Sequence, residues 1–214
     1  MKKELYLTNE NICQKPKEWL DKLKDYSKNR IYDLNNAALL VIDMQNFFLD
    51  ENSHAYVPSA KTIIPNIKKI TDAFNKKNFP VIYTRFCMDK NDNSRIAKWW
   101  DDKLVEGTKE SKIFSEFNTK NNIVIRKANY SSFKNTELDL ILKQKNIKSL
   151  IITGIMTHLC CDSTARDAFM NDYNVYFVID ATASYNEDLH LSSLKGLSHG
   201  FVNAITTGDI IEKL

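Results

Sequence analysis

Ala37-Ala-Leu-Leu-Val-Ile-Asp43 is a short apolar run that ends in an acid. Without polar alternation, it reads as a strand buried on both faces, as inside a parallel sheet. The pattern recurs outward from it in Pro80-Val-Ile-Tyr-Thr-Arg85, Asn122-Ile-Val-Ile-Arg126, Ser149-Leu-Ile-Ile-Thr153 and Asn174-Val-Tyr-Phe-Val-Ile-Asp180, with Phe201-Val-Asn-Ala-Ile205 as a sixth strand. Helical segments separate them. Residues 58–77 place Ile63, Ile64, Ile67, Ile70 and Phe74 on one face, and residues 136–143, 162–172 and 188–198 complete the alternation. Strands alternating with helices at this spacing predict right-handed βαβ units, hence an α/β fold whose sheet of about six mostly parallel strands is covered on both faces. Ligands of such Rossmann-like sheets bind outside the carboxyl ends of the strands.

Residues 1–35 form a polar lead-in and residues 36–214 the domain. Within the lead-in, Trp19, Leu20, Leu23 and Tyr26 recur at helical spacing, so a helix is expected over residues 16–26, packed on the domain or on a neighbouring subunit.

With 214 residues, 43% hydrophobic and 27% charged, the chain supports one globular core and excludes collagen-like, disordered and small disulfide-stapled classes. Its five glycines are too scattered for a G-x-G-x-x-G or G-x-x-x-x-G-K-S/T phosphate loop. Thirty basic residues against 27 acidic ones leave a net charge of +3, and the two signs are interleaved, so no nucleic-acid partner is expected. The two lysines near the start have no apolar stretch behind them, which predicts a cytoplasmic protein with no membrane partner. Cys13, Cys87, Cys160 and Cys161 contain no C-x-x-C pair, so an important cysteine is expected to be a single reactive thiol.

The strand-end rule selects Asp43, Arg85, Lys127, residues 154–160 and Asp180. Cys160 falls in a strand-to-helix turn, where a helix N-terminus and a nearby ammonium would both favour the thiolate. Asp43 can take the thiol proton and return it to a leaving amine, while Lys127 stabilises developing negative charge. The backbone N–H groups of Met156 and Cys160 are placed to hold an oxyanion, and losing one such donor costs about 3 kcal/mol of transition-state stabilisation.

Three segments, Ala38-Leu-Leu-Val-Ile-Asp-Met-Gln-Asn-Phe-Phe48, Arg126-Lys-Ala-Asn-Tyr-Ser-Ser-Phe133 and Thr153-Gly-Ile-Met-Thr-His-Leu-Cys-Cys-Asp-Ser-Thr-Ala-Arg-Asp-Ala-Phe169, resemble the isochorismatase-like cysteine hydrolases. That superfamily holds isochorismatases, nicotinamidases, N-carbamoylsarcosine amidases and ureide-type amidases. The likeness runs from about residue 36 to residue 207, and it implies a three-layer α/β/α fold, a catalytic triad on Asp43, Lys127 and Cys160, and a cis peptide between Ile155 and Met156. It also implies a homo-oligomer, a dimer or tetramer, acting on a small-molecule substrate.

Siderophore-type and phenazine-type isochorismatases usually carry glycine where this chain has Cys160, so the resemblance favours covalent C–N hydrolysis over vinyl-ether cleavage. Nicotinamidases carry an Asp-x-His…His metal motif after the second strand. Here residues 84–93 contain no histidine, so neither a metal nor another cofactor is expected.

Among substrate-binding candidates, Arg95 lies where relatives often place a carboxylate-binding arginine. Trp99 and Trp100 are neighbours, so on a helix they cannot both face the core; one lines the pocket mouth or a subunit interface, and Trp99 is assigned to substrate binding. His158 stands where nicotinamidases commonly have aspartate; it can tune the thiolate or line the substrate site, but a structural hydrogen bond to a neighbouring loop is the favoured reading. Gln45 and Phe48 follow Asp43 as a polar anchor and an apolar wall. Cys161 is expected to be buried and inert, and Cys13, Cys87, His54, His190 and His199 receive no role. Three functions compete: an amidohydrolase working through a Cys160 thioester, a vinyl-ether hydrolase using Asp43 as acid, and a catalytically retired binding subunit.

Overall fold

The computed structural model describes residues 2–28, 30 and 34–214. Six strands, β1 Ala37–Ile42, β2 Val81–Phe86, β3 Ile123–Lys127, β4 Ser149–Ile155, β5 Asn174–Ala183 and β6 Asn203–Ile205, form one sheet in the order β3-β2-β1-β4-β5-β6. Every pairing is parallel. All six residues of β1 and all seven of β4 are buried, as a doubly covered sheet requires. The strand order reverses between β1 and β4, which places the ligand crevice beyond their carboxyl ends.

Gly154 makes that central pairing possible. It pairs with Ile42 and holds φ at +107°, and a Cβ built on it would stand 2.1 Å from the Ile42 carbonyl oxygen. No other residue type fits this approach of two backbones.

Eight α-helices accompany the sheet among the described residues: α1 Lys15–Leu23, α2 Asn46–Leu49, α3 Ala60–Lys76, α4 Arg95–Trp100, α5 Leu138–Gln144, α6 Asp162–Met170, α7 Glu187–Gly200 and α8 Thr207–Lys213. The result is a three-layer α/β/α fold. In α3 the side chains of Ile63, Ile64, Ile67, Ile70 and Phe74 are buried, the face that their spacing predicts. Helix α1 packs against α7 of its own domain. Trp19 is fully buried, its ring centroid lies 4.6 Å from that of His190, and its indole N–H donates to Glu187 Oε1 at 2.8 Å. The helix ends at Leu23, so Tyr26 lies beyond it and is exposed.

Two strand-end assignments are corrected. Asp180 is internal to the long β5, and its Oδ1 accepts from the Thr207 amide at 2.7 Å, which anchors the start of α8. Arg85 is internal to β2 and pairs with Glu106 at 2.6 Å. Helix α8, which the sequence reading did not include, starts at a capping box formed by Thr206 and Asp209.

Candidate active site

Asp43, Lys127 and Cys160 meet at the switch point although they come from three distant segments. Asp43 directly follows β1 with φ at 51°, a left-handed conformation that acids tolerate better than most residues and that recurs at functional sites. Thr84, on β2, donates to Asp43 Oδ1 at 2.7 Å and accepts from the Asp43 amide at 3.2 Å, so the carboxylate is held from the neighbouring strand. Lys127 ends β3. Its ammonium lies 2.6 Å from Asp43 Oδ2, donates to the Asn129 carbonyl at 2.9 Å and reaches Cys160 Sγ at 3.3 Å. The ammonium is thus set between a carboxylate, a carbonyl and a sulfur. Burial alone would lower the Lys127 pKa, but the Asp43 carboxylate and the contacts with Asp43 and Cys160 outweigh burial and hold it above the ordinary lysine value.

Cys160 lies in a π-helical turn, Thr157–Cys161, ahead of α6. The peptide Ile155–Met156 before it is cis. Helix α7 braces this turn from behind: His190 Nδ1 lies 2.8 Å from Thr157 Oγ1, and Ser193 Oγ donates to Asp162 Oδ2 at 2.6 Å. Ser132 in the loop after Lys127 donates its amide to Thr164 Oγ1 of α6 at 3.0 Å, which ties the ammonium-bearing segment to the thiol-bearing one.

Burial works against the thiolate that the helix N-terminus and the Lys127 ammonium favour. Burial, reinforced by the Asp43 carboxylate and only partly opposed by Lys127, pushes the Cys160 pKa up to about 12. The direction is toward the neutral thiol, with the Asp43 carboxylate close by as a base. Cys161 is fully buried, and burial raises its pKa well above the ordinary value too.

A cavity of about 370 Å³ opens onto Cys160 and Met156. Phe48 lines it, as expected, and Trp100 lines it in place of Trp99. Trp100 donates its indole N–H to Tyr130 Oη at 2.6 Å, whereas Trp99, turned about 100° away on the same helix, is 78% exposed. Arg95 is exposed beside Trp99 on a separate shallow hollow, outside the cavity, so the expected carboxylate anchor is absent from the wall.

Gln45 is also corrected. It is fully buried, its Nε2 donates to the carbonyls of Phe86 and Ser111 at 2.9 and 2.8 Å, and its Oε1 accepts from the Phe86 amide at 2.7 Å. Its hydrogen bonds fasten the end of β1 to the end of β2 and to residue 111, which leaves no donor for a substrate. His158 lies off the cavity wall as well: its Nδ1 is 2.5 Å from Ser184 Oγ, and burial lowers its pKa.

Sequence reasoning missed the aromatic and aliphatic wall residues Phe86, Met88, Leu104, Tyr130 and Tyr185. Tyr130 alone carried a usable signal, three positions after Lys127. Among the described residues, no group of three His, Cys, Asp or Glu side chains is arranged to hold a metal ion. Past β2, Asp89 and Glu106 are already engaged by Arg126 and Arg85, and Asp102 on the cavity wall is paired with His54. That donor set does not fit a metal, and no step is assigned to one.

The isochorismatase domain family matches residues 37–209. A relative named nicotinamidase 3, from Arabidopsis thaliana, is 37% identical over 170 residues, 77% of this chain and 82% of the relative. Enterobactin synthase component B of Escherichia coli is 31% identical over 196 residues, 87% of this chain and 67% of the relative. Among solved structures, a cysteine hydrolase from Pseudomonas syringae superposes with a TM-score of 0.81 at 26% identity, covering 88% of this chain and 96% of the other. The family match spans all six strands and the whole switch point, and the fold agrees with it: this chain belongs to the isochorismatase family of hydrolases.

Proposed function

We propose that the protein is an amidohydrolase that cleaves a C–N bond through a thioester on Cys160. The observation that carries this reading is a buried acid, ammonium and thiol in mutual contact beneath an apolar cavity. Asp43 takes the proton of Cys160 as the sulfur forms a bond to the amide carbonyl carbon. Lys127 stays protonated and offsets the negative charge on sulfur and then on the tetrahedral intermediate. The backbone N–H groups of Met156 and Cys160 hold the oxyanion. As the C–N bond breaks, the proton on Asp43 passes to the leaving nitrogen, which departs as ammonia or an amine. Asp43, again a carboxylate, deprotonates a water that attacks the thioester, and the carboxylic acid is released with the thiol restored.

The raised thiol pKa suits this order of events. A neutral thiol enters a dry site without the desolvation cost of a charge, and the proton moves only when the carbonyl is in place. The vinyl-ether alternative leaves Cys160 without a task, although its sulfur lies at the cavity wall.

Ammonia release from a panel of primary amides and ureides, with pyruvate release from isochorismate in parallel, tests the reading. Ammonia formation that disappears in Cys160→Ala supports it. Pyruvate formation retained in Cys160→Gly supports the vinyl-ether alternative, and no turnover of any kind supports the retired binding subunit.

A further inference from the structure

The cavity above Cys160 is larger and more apolar than a one-ring amide requires. A dry apolar cavity of roughly 150 Å³ takes one benzene molecule. This one measures about 370 Å³, more than twice as much. Its walls include Phe47, Phe86, Met88, Ile96, Trp100 and Leu104. Phe86, Met88 and Leu104 belong, with Ala97, to a small apolar cluster separate from the main core, against which Phe47 and Ile96 pack. This cluster is built largely by the segment that β2 feeds. Met88 donates its amide to the Leu104 carbonyl at 2.8 Å, and Glu106 donates to the Met88 carbonyl at 3.0 Å, so the wall is fixed by backbone bonds of its own.

Of the Lys, His and Asp side chains on the cavity wall, His54 and Asp102 are paired with each other, and Lys3 is held by a carbonyl and a ring. His54 Nε2 and Asp102 Oδ2 lie 2.6 Å apart and satisfy each other. Lys3 donates to the His54 carbonyl at 2.5 Å, and its ammonium sits 4.7 Å from the centroid of the Tyr185 ring. Lys127 is set against Asp43, Asn129 and Cys160, and Arg95 lies outside. A substrate carboxylate entering this space would lose its water against a wall that is mostly apolar and would meet Lys3 as the one cation of the lining without an ion pair among the described residues. A ring system would instead cover apolar wall and stack beneath the Trp100–Tyr130 pair.

We infer that the acyl part of the substrate is a neutral, apolar group larger than a single six-membered ring, carried on an amide whose carbonyl reaches Cys160. This inference rests on the amidohydrolase reading for its chemistry but on the cavity alone for its choice of acyl group.

The test compares kcat/KM for 2-naphthamide, benzamide and succinamic acid, whose acyl groups are a fused ring pair, a single ring and a carboxylate-bearing chain. The expected order puts 2-naphthamide ahead of both others by about tenfold or more, the scale on which an apolar pocket separates substrates by size. Benzamide or succinamic acid turned over as well as 2-naphthamide overturns the proposal. The matching aldehydes, 2-naphthaldehyde, benzaldehyde and succinic semialdehyde, give a readout that needs no hydrolysis. The Cys160 sulfur adds to the aldehyde carbon and the thiol proton ends on the aldehyde oxygen, giving a reversible hemithioacetal measurable as protection from alkylation. If no amide is cleaved while 2-naphthaldehyde binds about tenfold tighter than the other two, the hydrolytic reading fails and the acyl preference stands. If the aldehydes bind equally, in the opposite order or not at all, the acyl preference fails.

Discussion

The Lys127 ammonium and the Asp43 carboxylate stand 2.6 Å apart with both side chains fully buried. A pair this dry is held by its geometry, and removing one partner strands the other charge, at a cost of about 3–5 kcal/mol. Lys127→Met is therefore expected to lower the unfolding free energy by that amount as well as to abolish turnover. Asp43→Asn keeps the shape of the carboxyl and is expected to lose activity by about 10²–10⁴-fold, the range for a missing acid–base group. Urea titration with parallel ammonia assays checks both, and a Lys127→Met protein as stable as wild type would contradict the buried-pair account.

The thiol state predicts slow alkylation. With the Cys160 pKa pushed up to about 12 by burial and by Asp43, iodoacetamide is expected to label it more slowly than a free small thiol at pH 8. The rate should keep climbing above pH 9. A fast reaction that levels off near pH 7 would mean that Lys127 and the turn outweigh burial, and that the resting enzyme holds a thiolate.

His190 makes acid stability measurable. Burial, opposed by Glu187, lowers its pKa from 6.5 to about 3. A base whose folded pKa is depressed contributes stability that is complete above its unfolded pKa and is lost as pH falls toward the folded one. Stability should therefore decline below about pH 6.5 with a limiting slope of about 1.4 kcal/mol per pH unit from this group. Urea midpoints between pH 7 and pH 4 should show a shallower decline in His190→Gln than in wild type. An identical slope in the two proteins would remove His190 as the cause.

Gln45 and Arg95 separate positioning from binding. Gln45→Ala leaves the Phe86 amide and carbonyl and the Ser111 carbonyl without their buried partner, and each such group costs about 1–3 kcal/mol. The variant should be destabilised by several kcal/mol. Arg95→Ala, at an exposed site outside the cavity, should leave KM for a hydrolysed amide within about twofold of wild type and stability within about 0.5 kcal/mol. A large rise in KM for Arg95→Ala would restore it as a substrate anchor.

Gly154→Ala is expected to yield no stably folded protein. Its Cβ would overlap the Ile42 carbonyl, with backbone on both sides and no flexible side chain to yield, so the penalty belongs to the exceptional class above about 4 kcal/mol. A soluble variant with a near-wild-type melting temperature would refute the close approach of β1 and β4.

The order of sheet and helices was legible because β1 and β4 are uniformly apolar and α3 repeats its isoleucines at helical spacing, signals that survive in one dimension. Asp43, Lys127 and Cys160 were legible for a topological reason: each follows or ends a strand, and a parallel sheet gathers its strand ends on one rim. The cavity wall was not, because residues 86–118 are shaped by tertiary bonds such as Met88 to Leu104 that leave no periodicity in the chain. Trp99 and Trp100 show the limit clearly. Adjacent identical residues on one short helix face different ways, and the one that lines the cavity is the one that meets the Tyr130 hydroxyl, thirty positions on. The thiol state was hidden for a related reason, since desolvation depends on everything packed around Cys160 and on nothing in its local sequence.

The central claim is covalent catalysis by Cys160, and intact-protein mass spectrometry after an acid quench measures it directly. During turnover of a hydrolysed amide, the account predicts an added acyl mass that maps to the peptide bearing Cys160, is removed by hydroxylamine and is absent from Cys160→Ala, which should also be inactive. Turnover retained in Cys160→Ala would contradict it.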